Sequence, residues 1–239
     1  MRFNRSSNPV IRRATSETYV TDNPVTYTNV SFKVLSLLAI LFASAFLTIN
    51  YASALTYGQL IGLLIGSLVV GFISVIVGTR SMNLAPYFAA LYALCEGVVL
   101  AVISAIYTIA FGDMIVPTAL LTTGIVFLIM LILYTTRVIK VTQRFASILV
   151  VALISVIFMS LLTFILPAGF GGGMYYLIVI VASILSAFFL LLDFNAIETC
   201  VESGTDSRVG WMLSLGLLVT LVWIYIEMLR LLAILSRRR

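Results

Sequence analysis

Residues 59–79 read QLIGLLIGSLVVGFISVIVGT, without one charged side chain. A helix needs about 20 apolar residues to cross the hydrocarbon core of a bilayer, and this stretch is long enough. It follows the turn signal Tyr57-Gly58-Gln59 and stops at Arg80. Outward from it the same pattern repeats, with spans read at 34–52, 59–79, 85–111, 115–136, 145–166, 174–198 and 209–235. The separators are short. Asn83 to Pro86 opens the third span, where a proline is tolerated in the first helical turn. Phe111-Gly112-Asp113 is brief enough to make spans three and four antiparallel neighbours, and Pro167 to Gly173 is a glycine-rich turn. Residues 199–208 form the longest polar connection after the N-terminal tail. The reading is an all-α integral membrane protein of seven transmembrane helices, with three short-linked hairpins and a final helix.

Composition agrees. Of 239 residues, 62% are hydrophobic and 10% charged, against about a quarter charged in a soluble domain. There is too little polar surface to cover a water-soluble globule, so the lipid bilayer is the first partner expected. The net charge of +5 comes from cations at the ends of apolar runs, which points to orientation and not to nucleic acid. There is no histidine, which excludes His-based triads, His metal sites and His-ligated haem. Cys95 and Cys200 form no CxxC pair, so neither a disulfide nor a zinc site is expected.

Residues 1–30 differ from the rest. They hold Arg2, Arg5, Arg12, Arg13, many Ser, Thr and Asn, and Pro9 and Pro24. They read as a flexible basic tail, with residues 31–239 as the transmembrane domain. Ala52-Ser53-Ala54 resembles a signal-peptidase site, but the tail is long for an n-region and the run exceeds an h-region. With the N-terminus cytoplasmic, the inner side collects the tail arginines, Lys33, Arg80, Arg137, Lys140, Arg144 and Arg208. The outer loops before span seven carry no Lys or Arg. This predicts a multi-pass protein of the cell (inner) membrane. Arg237-Arg238-Arg239 falls outside if span seven crosses fully.

Small residues on span two, Gly62-x3-Gly66, then Ser67, Gly71, Ser74 and Gly78, predict close helix approach. Three acids fall inside spans. Glu96 lies near the middle of span three with no basic residue at helical spacing. A charge at the bilayer centre costs at least about 2.5–3.5 kcal/mol. Glu96 therefore reads either as an ion or proton site or as a neutral side chain bonded to a neighbouring helix, with Tyr92 and Tyr107 on its face. Asp193 lies toward the inner end of span six, with Ser186 and Ala182 on its face; it reads either as a cavity acid or as an interfacial acid. Glu227 stands three residues before Arg230, an i,i+3 ion pair. Gly216, Thr220 and Trp223 share its face, which suits a central helix surrounded by the others.

No enzyme motif is present: no G-x-S-x-G, H-E-x-x-H, P-loop or dinucleotide fingerprint. Glu96 and Asp193 lie on separate helices without the D-T-G type of loop or the YD and GxGD motifs of aspartyl proteases. A non-enzyme is expected.

Leu191-Leu192-Asp193-Phe194-Asn195-Ala196-Ile197, followed by Glu227-Met228-Leu229-Arg230-Leu231-Leu232-Ala233-Ile234-Leu235, resembles the end of the Bax inhibitor-1 (transmembrane Bax inhibitor motif) family. Ala85-Pro86-Tyr87-Phe88 to Glu96-Gly97 and Val219-Thr220-Leu221-Val222-Trp223 resemble its bacterial YccA-like branch. The resemblance covers residues from about 30 to 239. It implies seven helices whose hairpins wrap the last one, and a pH-sensitive calcium leak governed by two aspartates on helices six and seven. Asp193 matches the first. The position of the second is Thr220, which cannot ionise.

The expectation is that Glu96 replaces the missing partner. Two carboxylates brought together in a low dielectric resist ionising together. At low pH a shared proton holds the site neutral; at higher pH the pair ionises and attracts a cation. Calcium takes six to eight oxygen ligands, so Asp193, Glu96, Thr220 and waters form only a weak metal site. Arg80 is a candidate inner gate for Asp193, with Glu227 and Arg230 as a second gate or ion pair. No cofactor is expected beyond transient calcium. The alternative is a non-conducting regulator of a membrane protein partner, such as a protease, contacted by the basic tail. A small-molecule carrier is a third class.

Overall fold

The computed structural model describes residues 23–165 and 172–236. Seven helices, α1 to α7, cover Tyr27–Tyr51, Tyr57–Gly78, Ala85–Phe111, Ile115–Thr135, Gln143–Ile165, Gly172–Glu202 and Val209–Ser236. Each is long and apolar enough to cross a membrane. The protein is a multi-pass, all-helical membrane protein.

Local chemistry sets the ends. Thr26 caps α1, its hydroxyl accepting from Asn29 N–H at 3.2 Å. At α2 the Thr56 N–H donates to Gln59 Oε1 at 2.9 Å, a capping-box arrangement. Pro86 falls in the first turn of α3, as expected. Gly112 ends that helix with φ 95°, in the positive-φ region that favours glycine. Inside the helices, hydroxyls bond the preceding turn, as in Ser74 to Val70 O (2.7 Å) and Thr122 to Thr118 O (2.7 Å). Such bonds satisfy donors that would otherwise face hydrocarbon.

α7 is the hub. It packs against α1, α2, α3, α4 and α6, and α5 packs only along α6. Leu215, Leu218, Ile224 and Leu229 of α7 are completely enclosed. Within that frame the pairing is not simply hairpin by hairpin: α1 and α2 each pack mainly on α3 and not along each other. The small-residue stripe of α2 also divides. Ser67, Gly71, Ser74 and Gly78 are buried. A Cβ at Gly78 would lie 2.7 Å from Leu215 Cδ2 and 3.3 Å from Phe88 Cβ. Gly62 and Gly66 instead have nothing within 4 Å of such an atom.

The first helix starts at Tyr27, earlier than the predicted 34. Residues 23–30, placed in the polar tail by the sequence, belong to the fold. Val25 N–H donates to Thr205 O (2.7 Å) and Ser207 N–H to Asn23 O (3.0 Å). Lys33 is buried, donates to Ser207 O at 2.5 Å and lies 5.3 Å from the Trp211 ring centroid. The segment before α1 thus straps the α6–α7 loop. The tail over residues 1–22, most of the expected 167–173 turn and Arg237–Arg239 lie outside the described residues.

Candidate functional site

Asp193 sits on α6 among Leu190, Leu191 and Phe194, all buried. That apolar face presses α6 onto α7 and aims the carboxyl at Gly216 and Thr220. Residue 216 has no side chain, and a Cβ there would lie 3.9 Å from Asp193 Oδ1, an ordinary contact. Thr220 is buried beside the carboxyl, and its hydroxyl donates a long 3.3 Å bond to Gly216 O. Ser186, one of the stripe residues behind Asp193, is fully enclosed and spends its hydroxyl on Ser183 O at 2.9 Å. Asp193 Oδ2 is buried with no hydrogen-bond partner. Among the described residues only Asn29 Oδ1 and Glu227 Oε2 share that condition.

Glu96 occupies a different place. It is partly buried on α3 and interacts with the Tyr92 phenol one turn back. Tyr92 and Cys95 pack toward Gly71 of α2. Glu96 makes no interaction with Asp193 or Thr220, and α3 and α6 do not pack along each other; each lies against α7. The structure therefore joins Asp193 to Thr220 and leaves Glu96 apart. Arg80 is exposed after α2 and forms no ion pair with Asp193. The neighbouring cation Arg208 engages Asn83 Oδ1 at 3.1 Å.

The expected pair on α7 is present. Arg230 Nη1 donates to Glu227 Oε1 at 3.1 Å. Trp223 Nε1 donates to the same oxygen at 3.3 Å, so Oε2 has no partner. Arg230 also reaches the Tyr107 hydroxyl and borders a cavity of 330 Å³ with Tyr175 and Tyr176. A second polar cluster was not legible in the sequence. Glu198, at the end of α6, accepts from both the Tyr134 hydroxyl and Arg137. These residues lie more than sixty positions apart, and no one-dimensional spacing links them.

Seven spanning helices gathered on the last one, with an acid on the sixth aimed at it, can be set beside known proteins. A family model described as Bax inhibitor 1 like matches residues 8–237. The chain belongs to the Bax inhibitor 1 like family. The match reaches the family and singles out no branch within it. No curated protein matches the chain. Within this Bax inhibitor 1 like protein, the α6–α7 interface holds one carboxyl facing a hydroxyl where two acids were implied. That arrangement can bind a proton, or offer oxygen ligands to a passing cation through Asp193, Thr220 and water.

Proposed function

We propose that this Bax inhibitor 1 like protein passes cations, calcium among them, slowly across the membrane along α7, with Asp193 as the proton-sensitive point. The observation that carries the reading is the buried, unpartnered Asp193 Oδ2 beside Gly216 and Thr220. A carboxylate with a buried oxygen left unsatisfied is disfavoured in its charged form. A proton satisfies it at acid pH, and a cation or water satisfies it when the proton leaves. One carboxylate, one hydroxyl and water give fewer ligands than calcium prefers. Among the described residues no three His, Cys, Asp or Glu side chains converge on a metal-sized site. Weak binding suits passage better than storage.

In this reading Glu96 is a separate acid held with Tyr92, and it does not share a proton with Asp193. The N-terminus lies on the cytoplasmic side of a cell (inner) membrane, on the strength of the basic residues gathered at that end of the helices. No enzymatic step and no resident cofactor form part of the proposal. The test is passive calcium flux into proteoliposomes at pH 6 and pH 8. Wild type conducts faster at pH 8, Asp193→Asn makes the two rates equal, and Glu96→Gln keeps the difference. Wild-type liposomes no leakier than empty ones would overturn the reading and favour a non-conducting regulator.

A further inference from the structure

α1 and α4 do not pack along each other, and between them lies a crevice of 1100 Å³. Leu217, Leu218, Leu221 and Val222 of α7 form part of its floor. The polar atoms on that floor are spent: Ser104 Oγ and Tyr225 Oη bond each other at 2.7 Å. On α1 the lining runs from Tyr27 to Ile49, roughly 33 Å at about 1.5 Å per residue, which matches the roughly 30 Å hydrocarbon core. Flexible acyl chains fit the space.

One end of the crevice is polar. Tyr27, Tyr134, Arg137 and Glu198 gather there. Arg137 has φ 57°, the one positive φ at a non-glycine among the described residues, a conformation that costs energy and persists where surroundings enforce it. Its guanidinium lies 5.6 Å from the Tyr134 ring centroid and bonds Glu198 through Nη2. That carboxylate also favours its charged form. Guanidinium carries five N–H donors and the side chain, which borders the crevice, is 60% exposed, so donors remain beyond the one spent on Glu198. Lys140 in the segment after it and Arg144 in the first turn of α5 are exposed and without ion pairs among the described residues. A guanidinium at the mouth of an apolar inter-helix pocket, with further cations close by in sequence, suits an anionic lipid head.

We propose that the α1–α4 crevice is a binding site for an anionic phospholipid of the bilayer, its phosphate at Arg137 and its acyl chains along α7. The occupant would touch α7 at Leu217 and Leu221, next to Gly216 and Thr220. The inference does not depend on whether the protein conducts.

Gly124 supplies the test. It lines the crevice, and a Cβ there meets nothing within 4 Å, so Gly124→Phe is placed to fill the space. The full chain is purified in detergent and titrated with phosphatidylglycerol or phosphatidylcholine of matched chains, with bound lipid counted by native mass spectrometry. We expect phosphatidylglycerol to bind about tenfold tighter, a difference of about 1.4 kcal/mol. Gly124→Phe should weaken it about tenfold with the melting temperature unchanged, and Arg137→Gln should abolish the headgroup preference while both lipids still bind. Leu120→Trp fills the same wall and serves if Gly124→Phe does not fold. Equal retention of the two lipids by wild type, or retention untouched by folded filling variants, would overturn the proposal. So would a dimer that the filling variants break, since a second copy would then be the occupant.

Discussion

At Gly97 of α3, an added Cβ would lie 2.7 Å from Ser44 Cβ on α1 and nearer still to the Leu41 carbonyl. Ser44 fixes that approach by donating to Leu94 O at 2.7 Å. Neither element can retreat, so Gly97→Ala should destabilise the protein by about 1–3 kcal/mol, the usual cost of overpacking, read as a lower melting temperature in detergent. Gly216→Ala is the contrast. Its methyl would meet Asp193 Oδ1 at 3.9 Å, an ordinary contact. Folding should survive, and calcium flux should fall because the space beside the carboxyl narrows. The three acids inside spans were visible in the sequence because charge in an apolar run is conspicuous, and so were the partners one turn away, Arg230 for Glu227 and Tyr92 for Glu96. Which acid meets a polar group of another helix was not. Depth follows from the 1.5 Å rise per residue, but direction around the helix is settled by packing, and packing turned Glu96 toward Tyr92 and not toward Asp193. The role of Gly97 had no signal at all, since its neighbour Leu41 lies on another span.

Whole helices carry a different lesson. The apolar runs marked all seven spans, because spanning segments must satisfy their backbone internally. The start of α1 was misplaced, since Asn29 and Lys33 look like tail residues. Lys33 can sit in a membrane-protein helix because Ser207 O accepts a hydrogen bond from its ammonium at 2.5 Å and the Trp211 ring lies 5.3 Å from it. Lys33→Ala should therefore loosen the strap on the α6–α7 loop. The measurement is hydrogen exchange at the Val25 and Ser207 amides, expected to accelerate, with α3 amides unchanged. The stripe on α2 was only half informative. Ser67 to Gly78 meets neighbouring helices, while Gly62 and Gly66 face open space, because α2 does not pack along α1.

The molecule as a whole is organised by α7. Its polar stripe of Gly216, Thr220 and Trp223 marked it as central before any packing was known, and it touches every helix but α5. Seven full crossings would place the two ends of the chain on opposite sides. Reporter tags before residue 1 and after residue 239 should therefore face opposite compartments, the first cytoplasmic, when probed with an impermeant reagent. The proposed proton-sensitive point depends on α6 presenting residue 193 to residue 216 of α7. The most direct measurement is a disulfide between Asp193→Cys and Gly216→Cys, with Cys95 and Cys200 replaced by alanine. A Cβ at residue 216 would lie 3.9 Å from Asp193 Oδ1, so the two introduced thiols should face each other across the interface and mild oxidant should link them in membranes. Thiols that both stay free under oxidant, in a protein that still melts like wild type, would contradict the arrangement.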